Sequence, residues 1–200
     1  MIFKLHRPTT DLLAGLKGVE LGAATHNRFG VDCINVAPRE RDGDWNEFQR
    51  KMGNEPARID KYGEASAIPI GDGSVDFVLS SHVVEHVPDV ISAFREWDRV
   101  LVDGGYVVMI IPLPDTIPAD VRPVSTIDQI EDAYARRLTT DTWDYESYPI
   151  NRGGHYWKFS LAFMKSVIEK HTTWSFIGEE SVDSKVGNGF WLALRKAVVI

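Results

Sequence analysis

Residues 63–89 read GEASAIPIGDGSVDFVLSSHVVEHVPD, and how this stretch is read decides the fold. Val75 to Ser81 (VDFVLSS) is rich in β-branched and aromatic residues and has the length of a strand. Pro88 and Asp89 then open PDVISAFREWDRVL, where Val90, Ile91, Phe94, Trp97, Val100 and Leu101 recur at three- and four-residue spacing, the stripe of an amphipathic helix. A further strand, GGYVVMIIP, is entered through the pair Gly104 and Gly105. Strand, helix, glycine turn and strand form a crossover unit, and such units wind right-handed into a parallel sheet.

The flanking sequence extends this pattern. Upstream, PTTDLLAGLK predicts a short helix, and GVEL and VDCINV predict strands buried on both faces. Downstream, Leu113 to Gly154 is polar and dotted with aromatics, with one helix at TIDQIEDAYARRL; a segment this long inside a compact domain is expected to form a lid or substrate insertion, at about 113–154. SLAFMKSVIEKH reads as another helix, and WSFIGEES and GFWLALRKAVV as two strands that close the sheet as a hairpin.

The 200 residues are 44% hydrophobic with ten prolines, which suits one core and a single domain over 1–200. The net charge is −7 and the basic residues form no runs, which argues against nucleic acid as a partner and for a small or neutral substrate. No apolar stretch has signal-peptide length at the start, and none reaches about 18 residues anywhere. A soluble cytoplasmic protein without a membrane partner is therefore expected; the pattern is silent on oligomeric state. The sole cysteine, Cys33, lies in GVDCINV and reads as a small interior hydrophobe.

The order VELGAA, then residues 63–89, then LVDGGYVVMIIP resembles the class I S-adenosylmethionine-dependent methyltransferases, specifically the type 11 methyltransferase-like group, over about Gly18 to Pro112. The resemblance implies an α/β, Rossmann-like methyltransferase fold: a seven-stranded, mostly parallel sheet with an antiparallel terminal strand and helices on both faces. It also implies S-adenosylmethionine as cofactor, and methyl transfer to an oxygen or nitrogen of a small-molecule or saccharide acceptor. By the same resemblance Glu20 orients the cofactor's amino group, and the small residues Gly22, Ala23 and Ala24 let backbone N–H groups approach it. Glu64 and Ala65 contact the adenine, and Ser81 and His82 complete the cofactor set.

Three departures stand out. Ala24 replaces a glycine, and the connection from Ala24 to Cys33 is too short for a crossover helix, which leaves Asn27 to take over part of the hydrogen bonding a helix N-terminus would supply. The second strand runs on in CINVAPRER to Ala37, where the family carries an acidic residue for the ribose hydroxyls; Glu40 and Asp32 are substitutes at unusual offsets. Ala24 and Ala37 together favour an alternative, a binding protein that keeps the fold without catalysis. A dehydrogenase is disfavoured because GAATHNRFG lacks the G-x-G-x-x-G spacing.

His155, Asp115 and His82 are the candidate catalytic residues. His155 follows Gly153 and Gly154 and could accept a proton near neutral pH, and Asp115 lies just past a strand end, where open parallel sheets bind ligands. HVVEH at 82–86 spells an inverted zinc-protease motif, but Pro88 leaves too little helix to support it. Some O-methyltransferases of similar fold bind a divalent metal through E-x-x-E-H at this place. A metal-dependent variant using His82, Glu85, His86 and His155 is thus a further alternative, although many type 11 members carry the same motif without metal and none is expected here. Trp143, Tyr145, Tyr148, Tyr156 and Trp157 either stack on an acceptor or build the insertion's own core.

Overall fold

The computed structural model describes residues 2–39, 44–53, 55–116, 120–151 and 153–198. In chain order the elements are α1 (Arg7–Leu12), β1 (Lys17–Leu21), a 3-10 turn (Thr25–Asn27), β2 (Asp32–Ala37), α2 (Asp44–Lys51), β3 (Lys61–Tyr62), β4 (Val75–Ser81), a second 3-10 turn (Val84–His86) and α3 (Val90–Val100). They continue with β5 (Leu101–Pro112), α4 (Ile127–Arg136), α5 (Leu161–His171), β6 (Ser175–Glu180) and β7 (Gly189–Arg195).

Among the described residues the seven strands form one sheet in the order β3-β2-β1-β4-β5-β7-β6. β1 to β5 run parallel, and β7 is antiparallel to both β5 and β6. This is the expected sheet, with the last two strands paired as a hairpin. Side chains alternate across it as the pleat requires. Val19, Leu21, Val78, Val107 and Met109 face the larger core with α3, α4 and α5, whereas Phe77, Leu79, Val108 and Ile110 face a smaller core with Leu13 and Phe29. Glu20 sits between Val19 and Leu21 in β1 and so projects to the side of the smaller core.

α3 begins where Asp89 caps it, its carboxylate accepting from the Ser92 N–H at 2.9 Å. The apolar stripe is buried as predicted, but Leu101 belongs to β5 rather than to the helix. The glycine pair is likewise not a turn. β4 and β5 pair Val75 with Leu101 and then Phe77 with Tyr106, so Gly104 and Gly105 lie in a bulge inside β5.

The segment 113–154 adds to the larger core through Ile130 and Ala133 of α4. Its helix carries a capping box, Thr126 with Gln129. The Trp143 ring lies 4.4 Å from Tyr156, 5.1 Å from Trp157 and 5.6 Å from Tyr148, centroid to centroid. These rings therefore build the insertion's own core, and Tyr145 is exposed. No helix among the described residues is long and apolar enough to cross a membrane.

Candidate active site

The carboxyl ends of β1 to β4 converge on one edge of the sheet. The Gly22 N–H donates to the Val36 carbonyl at 2.9 Å and the Gly63 N–H to the Ala37 carbonyl at 3.1 Å, so the loop after β1 and the corner after β3 are anchored on consecutive residues of β2. Gly22 has φ +66°, the left-handed region that a Cβ disfavours. Ala24 has φ −137° and ψ +133°, ordinary extended backbone. The glycine the loop retains is thus the one its geometry requires, and the lost one stood where any residue fits. Gly22→Ala is expected to cost about 1–2 kcal/mol, read as a Tm lower by roughly 3–6 °C.

Between β1 and β2 the chain makes only the 3-10 turn Thr25–Asn27, as the short connection implied. Its backbone is braced by the buried Gln49 of α2, whose Oε1 accepts from the N–H groups of Thr25 at 2.8 Å and Ala57 at 3.0 Å. The Asn27 Nδ2 donates to Ser81 Oγ at 3.0 Å, while its Oδ1 is buried with no hydrogen-bond partner among the described residues. Glu20, Gly22, Ala24, Asn27, Ser81 and His82 line a cavity of about 210 Å³. Phe3, His26, Phe48, Val186 and Asn188 complete its wall.

Glu20 is the electrostatic centre of this cavity. Burial pushes its carboxyl up to about 7, against smaller opposing effects from the Cys33 thiol, 3.6 Å from Oε2, and from the Lys185 ammonium. Burial also raises the Cys33 thiol, and the adjacent Glu20 charge adds to that, so it remains protonated as a weak donor. Lys185 is itself buried, donating to the carbonyls of Lys4 at 2.9 Å and Arg28 at 2.6 Å. It ties the β6–β7 turn to the N-terminal segment that carries Phe3.

His82 follows β4 with φ +54°, uncommon for a residue with a side chain and typical of strained functional positions. Its N–H is held by the Ile110 carbonyl at 2.8 Å. The imidazole hydrogen-bonds Asn188, and burial lowers its pKa. His82 precedes and His86 ends a single 3-10 turn rather than sharing an α-helix, which removes the protease arrangement.

Other expected site residues fall elsewhere. Ala23 lines an adjoining open groove with Cys33 and Asn35, which shares Glu20 and Ala24 with the cavity. Glu64 is exposed at the β3 corner and Ala65 is half-buried with its carbonyl accepting from Trp97 Nε1 at 2.9 Å; neither lines the Glu20 cavity. Asp115 does not fit a catalytic base, since its side chain is 99% exposed with Lys158 3.9 Å away. Asp32 pairs with Lys17 at the start of β2, the wrong end of the strand for a ribose contact, and Glu40 lies outside the described residues. His155 stands near Glu85 and His86 at the base of the insertion, outside the Glu20 cavity. Burial, with the nearby His82 and Arg122, drives its pKa down to about 4, well below the near-neutral value expected of a free imidazole.

A family signature described as "Methyltransferase domain" matches residues 31–109. A SAM-dependent methyltransferase from Thermotoga maritima, a possible histamine N-methyltransferase, superposes with a TM-score of 0.56 at 21% identity, covering 95% of this chain and 86% of that one. The methyltransferase signature over residues 31–109 and the shared sheet support a class I S-adenosylmethionine-dependent methyltransferase. S-adenosylmethionine is the cofactor of this methyltransferase family and fold. The chain is 33% identical over 136 residues to an uncharacterized 37.1 kDa protein in transposon TN4556 of Streptomyces fradiae, covering 64% of this chain and 38% of that protein. It is 32% identical over 116 residues to a sarcosine/dimethylglycine N-methyltransferase of Aphanothece halophytica, covering 56% and 40%. It thus spans about two fifths of the length of these relatives.

The residues present fit the cofactor's amino-acid end. A cavity holding a buried carboxylate and an unsatisfied amide oxygen offers two acceptors and suits an ammonium group. At about 210 Å³ it is smaller than the roughly 300–1,000 Å³ typical of whole-ligand sites, which matches part of a nucleoside cofactor.

Proposed function

We propose that this chain transfers the methyl group of S-adenosylmethionine to an oxygen or nitrogen of a small-molecule or saccharide acceptor. One observation carries the reading: Glu20 and the unsatisfied Oδ1 of Asn27 share a cavity at the carboxyl end of a class I sheet. Burial makes the ionised Glu20 carboxylate costly even with the Lys185 ammonium acting on it, and a bound ammonium offsets that cost with charge-assisted hydrogen bonds. In this reading Glu20 and Asn27 hold the methionyl ammonium, with Gly22, Ala23 and Ala24 beside it. The nucleoside extends across β2 toward Glu64 and Ala65, and Ser81 and His82 close the β4 side.

The cofactor, when bound, supplies a sulfonium methyl already activated for in-line displacement. The chain then has to hold donor and acceptor in line and keep water out, a contribution on the order of 7–11 kcal/mol when the alignment is good. Phe3, Phe48 and Val186 give the cavity an apolar mouth suited to excluding water. His82 lines the donor cavity and is the better placed base. His155, with a pKa near 4, has little driving force to take a proton at neutral pH, so His155→Ala is not expected to abolish turnover. Residues 113–154 form the acceptor side of a single domain.

Calorimetric titration with S-adenosylmethionine, followed by transfer of labelled methyl to a panel of amines, hydroxylated metabolites and saccharides, tests the proposal. One donor per chain is expected, with Asn27→Ala weakening it by roughly tenfold or more, the loss of a hydrogen bond to a charged group. No heat and no thermal shift at millimolar donor would instead support the non-catalytic binding protein.

A further inference from the structure

We propose that Glu85, His86 and His155 form a binding site for one divalent transition-metal ion of the zinc or cobalt type, at the base of the segment 113–154. One oxygen of Glu85 and one ring nitrogen of each histidine all lie within 4.8 Å of one another. Metal–nitrogen and metal–oxygen bonds of about 2.0–2.2 Å put two ligands of one ion roughly 3–4 Å apart, so small side-chain rotations close the set. His86 Nε2 already stands 3.9 Å from Glu85 Oε1.

The orientation of His86 supports this. Its Nδ1 lies 3.0 Å from the Gly154 carbonyl, and donation there leaves the Nε2 lone pair directed at the Glu85 carboxylate. An imidazole anchored through one nitrogen to a backbone carbonyl is the usual arrangement of a metal ligand. His155 packs edge-on against His86, with ring centroids 4.5 Å apart and planes at 85°. Its backbone is fixed by Asn151 Oδ1 at 3.0 Å, and the next residue, Tyr156, donates its N–H to the Glu85 carbonyl at 2.9 Å. The third ligand is thus stitched to the first.

The donor set selects the ion. Two imidazoles and one carboxylate suit zinc, cobalt, iron or nickel, whereas magnesium and calcium prefer oxygen donors. A cavity of about 10 Å³ beside Glu85 and His155, bordered by Leu113, Asp120 and Lys158, has room for roughly one water as a further ligand. His82 is not part of the set: although its Nδ1 is 3.8 Å from Glu85 Oε1, its ring is engaged by Asn188 on the donor-cavity side, and among the described residues only Glu85, His86 and His155 bring their ligand atoms together. An ion here joins the turn after β4 to residues 153–156, so it orders the acceptor side independently of whether methyl transfer occurs.

The test uses the full chain dialysed against a chelator and then titrated with cobalt(II) chloride, followed by visible d–d absorption, and with zinc chloride, followed by calorimetry. One ion per chain is expected, with a Tm that rises on metal addition. His86→Gln and His155→Gln should each weaken binding by about 100-fold and lose the Tm response, while His171→Gln keeps both. Absence of cobalt absorption in the wild type overturns the proposal, as does binding whose affinity is unchanged in His155→Gln. If His155→Gln does not fold, the wild-type spectrum and stoichiometry decide alone. None of these readouts depends on donor binding or turnover.

Discussion

Glu20→Gln is expected to stabilise the donor-free protein at pH 8 while weakening S-adenosylmethionine binding about 100-fold. The carboxyl titrates near 4.5 when exposed and near 7 in the folded chain. Between these values the folded state holds the proton more tightly than the unfolded state, so stability falls as pH rises from about 4.5 to 7 and is flat above. The shift corresponds to about 3 kcal/mol at pH 8, an order-of-magnitude figure that glutamine, which does not titrate, should recover. Urea denaturation of both variants at pH 5 and pH 8 measures it: the pH-dependent difference between them should approach that value. Donor affinity runs the opposite way. An ammonium is recognised by the ionised carboxylate, so wild-type affinity should rise by roughly 100-fold from pH 5 to pH 8 and level off, because the competent fraction grows from about 1% to about 90%. Glu20→Gln should remove most of that dependence.

Trp97→Ala should cost about 4 kcal/mol, the second large effect. Trp97 projects from α3 into the larger core, is fully buried there, and is packed against Phe94 at 5.4 Å. A domain holds only about 5–15 kcal/mol in total, so the urea midpoint should fall by a large fraction. Trp97→Phe keeps most of the volume and removes the indole N–H that the Ala65 carbonyl accepts, for about 1–3 kcal/mol. Because that bond pins the Glu64–Ala65 corner, the phenylalanine variant should also bind donor more weakly; unchanged affinity would detach this corner from the nucleoside.

The elements around residues 63–89 were legible because burial imposes a local period on the sequence, and α3 and β4 show it cleanly. The missing crossover helix was legible from chain length alone. The helix end at Val100 was not, since Leu101 continues the apolar stripe and only pairing with Val75 assigns it to β5. The cavity's far wall was also hidden. Phe3 and Val186 are more than 180 positions apart, and they meet through Lys185 and its bonds to Lys4 and Arg28, contacts that no local pattern reports. One local signal did exist in SVDSKVGN. Asp183 accepts from the N–H groups of Lys185, Val186, Gly187 and Gly189, the habit of an aspartate organising a tight turn. Asp115 shows the reverse error, because lying past the carboxyl end of a strand does not make a side chain face the cavity.

A crystal structure with S-adenosylhomocysteine bound is the most direct test of the donor site. The homocysteine ammonium should lie within hydrogen-bond distance of Glu20 and Asn27 Oδ1, with the adenine reaching the Glu64–Ala65 corner. A ligand bound elsewhere, or seated with its carboxylate rather than its ammonium against Glu20, would contradict this placement.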